Sequence, residues 1–206
     1  MSTAEKIDLH KLHKNEYVTP KKPVLIDVKP AAYLAIAGRG EPGGEAFQER
    51  IGALYSMAFT IKMTRKFAGR QDYGMCKLEC QWWAQGECRD FSKVPRDQWC
   101  WKLLIRTPDF ITQTDLDKAV AALTKKGKSP LARDVILERI EEGRCVQMLH
   151  VGPYDREGET VAVMMRFLED QGLAFCGRHH DIYLSDPRRV PPERLKTIIR
   201  LPVSGG

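Results

Sequence analysis

Two acids and a set of aromatic rings mark where chemistry can sit in this chain. Strand-like alternation over 179–184 puts Ile182 and Leu184 on one side and His179, Asp181 and Tyr183 on the other. Over 75–83 the mixed side carries Lys77, Glu79, Gln81 and Trp83. If the apolar pair faces helices, the opposite face gathers Glu79 and Asp181 in one cleft. Trp82, Trp99, Trp101, Phe110, Tyr33 and Tyr154 lie on neighbouring segments. Such a lining suits a planar, apolar or cationic small molecule: rings stack on it, and a carboxylate supplies a counter-charge or accepts a proton. The same rings also serve as ordinary core, and Asp181 has a second reading as a surface partner of Arg178.

Other chemistries find less support. Cys76, Cys80, Cys88 and Cys100 include no C-x-x-C pair, and no His follows at zinc-ligand spacing. His179 and His180 point to opposite faces of a strand, which is poor chelation. No metal or other cofactor is therefore expected. The GRGEPGG stretch at 38–44 lacks phosphate-loop and dinucleotide spacing and reads as a turn. No Ser/His/Asp nucleophile signature is visible.

The elements that must position these residues follow from periodicity. Residues 1–30 are polar, carry Pro20, Pro23 and Pro30, and read as an extended arm with at most one strand near Val24–Val28. Strands are expected at Ala31–Gly38, Met75–Trp83, Gln98–Arg106, Cys145–Val151, His179–Leu184 and Leu195–Val203. Helices are expected from Glu45 to about Lys66, at Thr112–Lys126 and at Glu157–Gln171, with a further short helix between Pro130 and Glu142. The order is β-α-β-β, a helical insert, then β-α-β-β. KLLIRTP at 102–108 and KTIIRLP at 196–202 share Lys, Ile, Arg and Pro at the same offsets. The expectation is an α+β fold of duplicated β-α-β-β halves. They form one curved antiparallel sheet, with helices on one face and a ligand cleft on the other. One domain spans 31–206, with half one at 31–110, the insert at 111–144 and half two at 145–203.

Composition bounds the rest. The chain has 206 residues, 43% hydrophobic and 29% charged, so a core can form. No apolar run reaches transmembrane length, and the start of the chain has no secretory pattern. Six cysteines in such a context read as reduced cytoplasmic thiols. The net charge of +6 is spread along the chain and predicts no direct DNA binding.

Several stretches together resemble a known family. They are IGALYSMAFTIKM (51–63), QWW (81–83), IRTPDF (105–110), VQMLHVGPYD (146–155) and HHDIYLSDPRRVPPERLKTIIRLPV (179–203). On these the chain resembles the GyrI-like (gyrase-inhibitor-like) small-molecule-binding proteins. It looks most like the stand-alone subgroup described as hydrolases that open the cyclopropane of DNA-alkylating natural products. The resemblance implies a duplicated β-α-β-β (SHS2-like) fold and a cleft that takes aromatic or amphipathic ligands. The family's aromatic positions match at Tyr33, Trp83, Tyr154 and Tyr183, and less closely at Trp82 and Trp101. Taken with the strand pattern, which adds Glu79 and Phe110, the expected catalytic residues are Asp181, Tyr154 and Glu79, and the expected ligand contacts are Tyr33, Trp82, Trp83, Trp101, Phe110 and Tyr183. The family usually has Glu where this chain has Asp181. A non-catalytic, drug-sequestering binder is the alternative, and a gyrase partner rests only on the family name and the mild basic charge.

Overall fold

The computed structural model describes residues 6–85, 91–128 and 130–205. The arm carries a single helical turn, α1 (Leu9–Leu12), before β1 (Val24–Val28). The first half follows as β2 (Ala31–Arg39), α2 (Glu45–Phe67), β3 (Leu78–Trp83) and β4 (Cys100–Thr107). Between the halves lie α3 (Gln113–Lys125) and β5 (Ile136–Ile140). The second half is β6 (Gly143–Val151), α4 (Glu157–Asp170), the short β7 (Leu173–Phe175), β8 (His179–Tyr183) and β9 (Lys196–Gly205). Among the described residues no helix is long and apolar enough to cross a membrane.

Local chemistry accounts for the helices. In α2 the buried residues Phe47, Leu54, Met57, Ala58 and Ile61 recur at helical steps, and Glu45 and Lys66 sit at the ends that suit their charge. Thr112 and Asp115 form a capping box at the start of α3. After α4, Gly172 takes a φ of 64°, a left-handed conformation that closes the helix without strain.

All strands pair antiparallel, in the order β1-β6-β9-β8-β3-β4-β2-β5, with β7 on the end of β9. The two halves meet where β3 pairs β8. The repeated heptapeptides fall on β4 and β9, the matching strands of each half. The α+β class and the duplicated curved sheet are thus as expected. The helix expected between Pro130 and Glu142 is not formed beyond a 3-10 turn at Pro130–Asp134. Ile136–Ile140 is instead extended and covers the edge of β2, where it pairs backbone groups that would otherwise be open.

The register decides which residues share a face. Cys80 lies opposite Asp181, and Asp181 lies opposite Ile199. Cys80 packs with Leu34, Ile36, Leu103 and α2, while Ile199 packs with Val146 and Met164 of α4. The helices therefore cover the face that carries Asp181. The assignment of the cleft to the helix-free face is corrected, and so is the pairing of Glu79 with Asp181. Glu79 lies opposite Ile182, so it belongs to the other face of the sheet.

That other face holds a buried ionic network under the arm. Glu16 bonds Arg106 at 2.7 Å, and its backbone carbonyl accepts from Arg200 at 2.6 Å. Arg200 also donates to Glu142 at 2.8 Å and to Gln147 at 2.9 Å. His180 bridges Glu142 at 2.8 Å and Glu79 at 3.0 Å. Tyr17 donates to Glu79 at 3.2 Å and accepts from Arg106 at 3.2 Å. Three acids thus face three bases, so the buried charge is balanced. Arg106 and Arg200 are the equivalent arginines of the two heptapeptides, and Glu16 of the arm spans them.

This network makes stability depend on pH. Burial opposes charge on Glu142, but His180 and Arg200 outweigh it and hold the carboxyl at about 2. Burial would also discharge His180, but Glu142 and then Glu79 raise it to about 9. A depressed carboxyl stabilises above its unfolded value near 4.5 and loses that contribution as pH falls toward 2. A raised imidazole stabilises below its unfolded value of 6.5 and loses that contribution as pH rises through 9. Thermal unfolding should therefore show its highest Tm between about pH 4.5 and 6.5, with each limb worth at most about 3 kcal/mol. In His180→Gln the alkaline limb should flatten; an unchanged alkaline limb contradicts the assignment.

Candidate functional site

A cleft of about 1980 Å³ opens on the helix-bearing face, between α2 and α4. It is large enough for a molecule of several rings. β3 and β8 supply its floor with Trp82, His179, Asp181 and Tyr183. Phe47, Ile51 and Tyr55 come from α2, and Glu157, Val161 and Met165 come from α4. Phe91 and Trp99, from the connection before β4, close one end, and Tyr154 stands at the start of α4.

The aromatic part is a packed unit. Trp82 stacks on Phe47 and Phe91, with centroids 5.6 and 6.4 Å apart. Trp99 meets Phe91 edge-on at 4.6 Å, and Phe91 meets His179 at 5.4 Å. Tyr154 and Tyr183 form a second edge-to-face pair at 5.7 Å. Offset and edge-on arrangements like these fix ring positions before any ligand arrives.

The polar part sits at the floor. Asp181 is 3% exposed. The Trp82 indole N–H donates to its Oδ2 at 2.8 Å, and His179 Nε2 donates to its Oδ1 at 2.7 Å. Glu157 joins them: the ligand atoms of Glu157, His179 and Asp181 lie within 4.8 Å of one another. Each oxygen of Asp181 thus has one protein donor and keeps a further lone pair toward the cleft. Glu157 Oε1 is buried and makes no close hydrogen bond among the described residues, and the Thr197 hydroxyl beside the carboxyl is its one polar support. Burial, and then the charge of Asp181, push the Glu157 carboxyl well above the usual carboxylate range. Two charged carboxylates this close repel by on the order of 3 kcal/mol at an effective dielectric of about 20, which adds to burial in favouring the protonated form of Glu157. Burial, followed by Glu157 and Asp181, also pushes the Tyr154 hydroxyl up to about 12. Tyr183 is raised by burial first and Asp181 second. Both tyrosines are therefore proton donors at neutral pH.

The turn that presents Tyr154 is held by His150. One ring nitrogen pairs with Thr160 of α4 at 2.8 Å, the other with the Pro153 carbonyl at 3.1 Å. Gly152 within that turn has a φ of 145°, a conformation that a residue with a side chain adopts only under strain.

The expected site residues divide between places. Asp181, Tyr154, Tyr183 and Trp82 come together in the cleft. Glu79 and Tyr33 lie on the far face, Glu79 in the ionic network and Tyr33 packed against Ala35 and Leu104. Trp83 is on that face too, with the Arg178 guanidinium 3.7 Å from its ring centroid. The surface pair of Asp181 with Arg178 is accordingly not formed. Trp101 shares Trp82's face but is buried behind Phe47, its N–H bonded to the Gly40 carbonyl at 3.1 Å. Its ring lies where a side chain on Gly38 would be, so only glycine fits opposite it. Phe110 packs on Tyr73 and under Arg65, away from the cleft. Among the thiols, Cys76, Cys80 and Cys100 are buried and unpaired; Cys88 lies outside the described residues. Glu157, Phe47 and Phe91 were not marked by the sequence patterns. Glu157 reads there only as a helix-start acid.

The GyrI-like small molecule binding domain matches residues 21–204. The chain belongs to that family. The structure of an uncharacterized conserved protein from Listeria innocua is 42% identical, covers 97% of this chain and 100% of its own, and superposes with a TM-score of 0.89. A structure described as a hydrolase from the same organism is 40% identical over the same shares, with a TM-score of 0.86. The C-terminal domain of EcmrR, at 13% identity and a TM-score of 0.57 over 90% of this chain and 98% of its own, shares the fold alone. No curated protein matches the chain.

Two substitutions separate the faces of the GyrI-like sheet. Trp82→Phe keeps most of the packing but removes the donor to buried Asp181, and should cost about 1–3 kcal/mol in denaturant unfolding. It should also weaken the binding of a planar aromatic ligand. Trp83→Phe should leave ligand binding unchanged in a fluorescence titration. Equal effects of the two on binding contradict this placement.

Proposed function

We propose that the protein binds planar, ring-bearing small molecules in this cleft and opens a cyclopropane conjugated to a dienone by adding water, which detoxifies DNA-alkylating xenobiotics. The observation that carries the reading is Asp181, desolvated at the floor of an aromatic cleft beside two protonated tyrosines. The hydrolase description of the 40%-identical Listeria innocua structure supports it.

The chemistry follows from the positions. Aromatic walls take the flat molecule and orient its strained ring. Asp181 accepts a proton from a water that attacks the cyclopropane methylene. The C–C bond breaks, and its electron pair passes through the dienone to the carbonyl oxygen. Tyr154 donates the proton that this oxygen needs, and the ring becomes aromatic. Water is the only reactant added, and the proton taken by Asp181 replaces the one given by Tyr154. Asp181 is one methylene shorter than the Glu usual at this position, about 1 Å less reach. Trp82 and His179 grip it at both oxygens and set where that shorter carboxylate stands.

Incubation with a cyclopropanoid alkylator, followed by mass spectrometry of the small molecule, tests this. The expected product has gained one water, faster than in buffer. Asp181→Asn and Tyr154→Phe should each lower the rate by about 10²–10⁴-fold. An unchanged compound that still quenches tryptophan fluorescence refutes hydrolysis and leaves a binding protein.

A further inference from the structure

The floor of the cleft holds a second acid, Glu157, beside Asp181. In a cyclopropane fused to a dienone, the oxygen that receives the electron pair lies across a six-membered ring from the attacked carbon, roughly 5 Å away at ordinary bond lengths. Asp181 and Tyr154 serve those two separated ends. Glu157 has no part in that scheme. It lines the cleft, its Oε1 is buried, and its carboxylate oxygen lies within 4.8 Å of an oxygen of Asp181 and a ring nitrogen of His179. An acid beside the base can serve a bond whose two atoms are neighbours, one group on each atom. A strained three-membered ring with oxygen inside it meets that condition, because the leaving oxygen is bonded directly to the attacked carbon.

We propose that the cleft also opens epoxides carried by aryl-bearing molecules, with Glu157 giving a proton to the ring oxygen while Asp181 takes one from the attacking water. This rests on the reading of Asp181 as the base in cyclopropane opening. The ring C–O bond breaks and its electron pair stays on oxygen, which takes the Glu157 proton. Water forms the new C–O bond and releases its proton to Asp181. The product is a vicinal diol, with no oxidant or cofactor consumed. Proton passage from Asp181 to Glu157 over their short separation restores the starting state. The aromatic group stacks against Trp82 and Phe91, as a flat drug would.

The test uses the full chain with trans-stilbene oxide. Diol should form at least about 100-fold faster than in buffer, and Glu157→Gln should lower that rate by about 10²–10⁴-fold. A single turnover in ¹⁸O-labelled water, with protein in excess, should place one labelled oxygen in the diol. An unlabelled first-turnover diol means that a carboxylate attacked carbon, and overturns the proposal. So does Glu157→Gln that turns over at the wild-type rate. Should that variant fail to fold, the rate and label of the wild-type protein still decide. A protein that opens a cyclopropanoid but returns the bound epoxide intact overturns this inference alone; one that opens neither overturns the reading beneath it as well.

Discussion

The pairing of β3 with β8 is the constraint on which the rest of the molecule depends. It joins the two halves, and it sets Cys80 against Asp181 and Glu79 against Ile182. Side chains alternate between faces with a period of two, so a slip of one residue would exchange them all. In this register Asp181 and Trp82 enter the cleft between α2 and α4. Glu79 and His180 pass to the far side and join the ions beneath the arm. One acid faces the cleft and the other joins the buried ions, and the difference is one position in a ladder.

The far-side network gives that ladder a firm backing. Each half contributes an arginine from the same place in its repeat, Arg106 from β4 and Arg200 from β9. Glu16 reaches both, one through its carboxylate and one through its backbone carbonyl. Removing either partner would strand a buried charge, at a cost of about 3–5 kcal/mol. The arm is thus part of the folded unit, and the sheet beneath the cleft is held from behind while its other face stays open to ligands.

Much of the fold was legible because repetition and periodicity are local signals. The heptapeptides KLLIRTP and KTIIRLP, the amphipathic pattern of α2 and the alternation of β8 each appear within a few residues. Asp181, Tyr154, Tyr183 and Trp82 could be marked from such patterns and from family resemblance. The choice of face could not. Ile182 and Leu184 look like residues for the helix side, yet Ile182 lies on the far face with Glu79, a face whose ionic network the arm covers. Burial on both sides of a sheet removes the contrast that alternation relies on. Glu157 was illegible for another reason: an acid in the first turn of a helix is ordinary, and only the tertiary approach of α4 to β8 brings it to Asp181. Ile136–Ile140 became a strand because an open edge of β2 was there to receive it.

The central claim is that ligands are held between α2 and α4, against Trp82 and Asp181. A crystal structure of the protein with a flat, multi-ring aromatic compound bound tests it most directly. The account predicts density stacked along Trp82 and Phe91, with a polar atom near Asp181 and the arm still seated on Arg106 and Arg200. A ligand found on the opposite face, beside Tyr33 and Glu79 with the arm displaced, would contradict it.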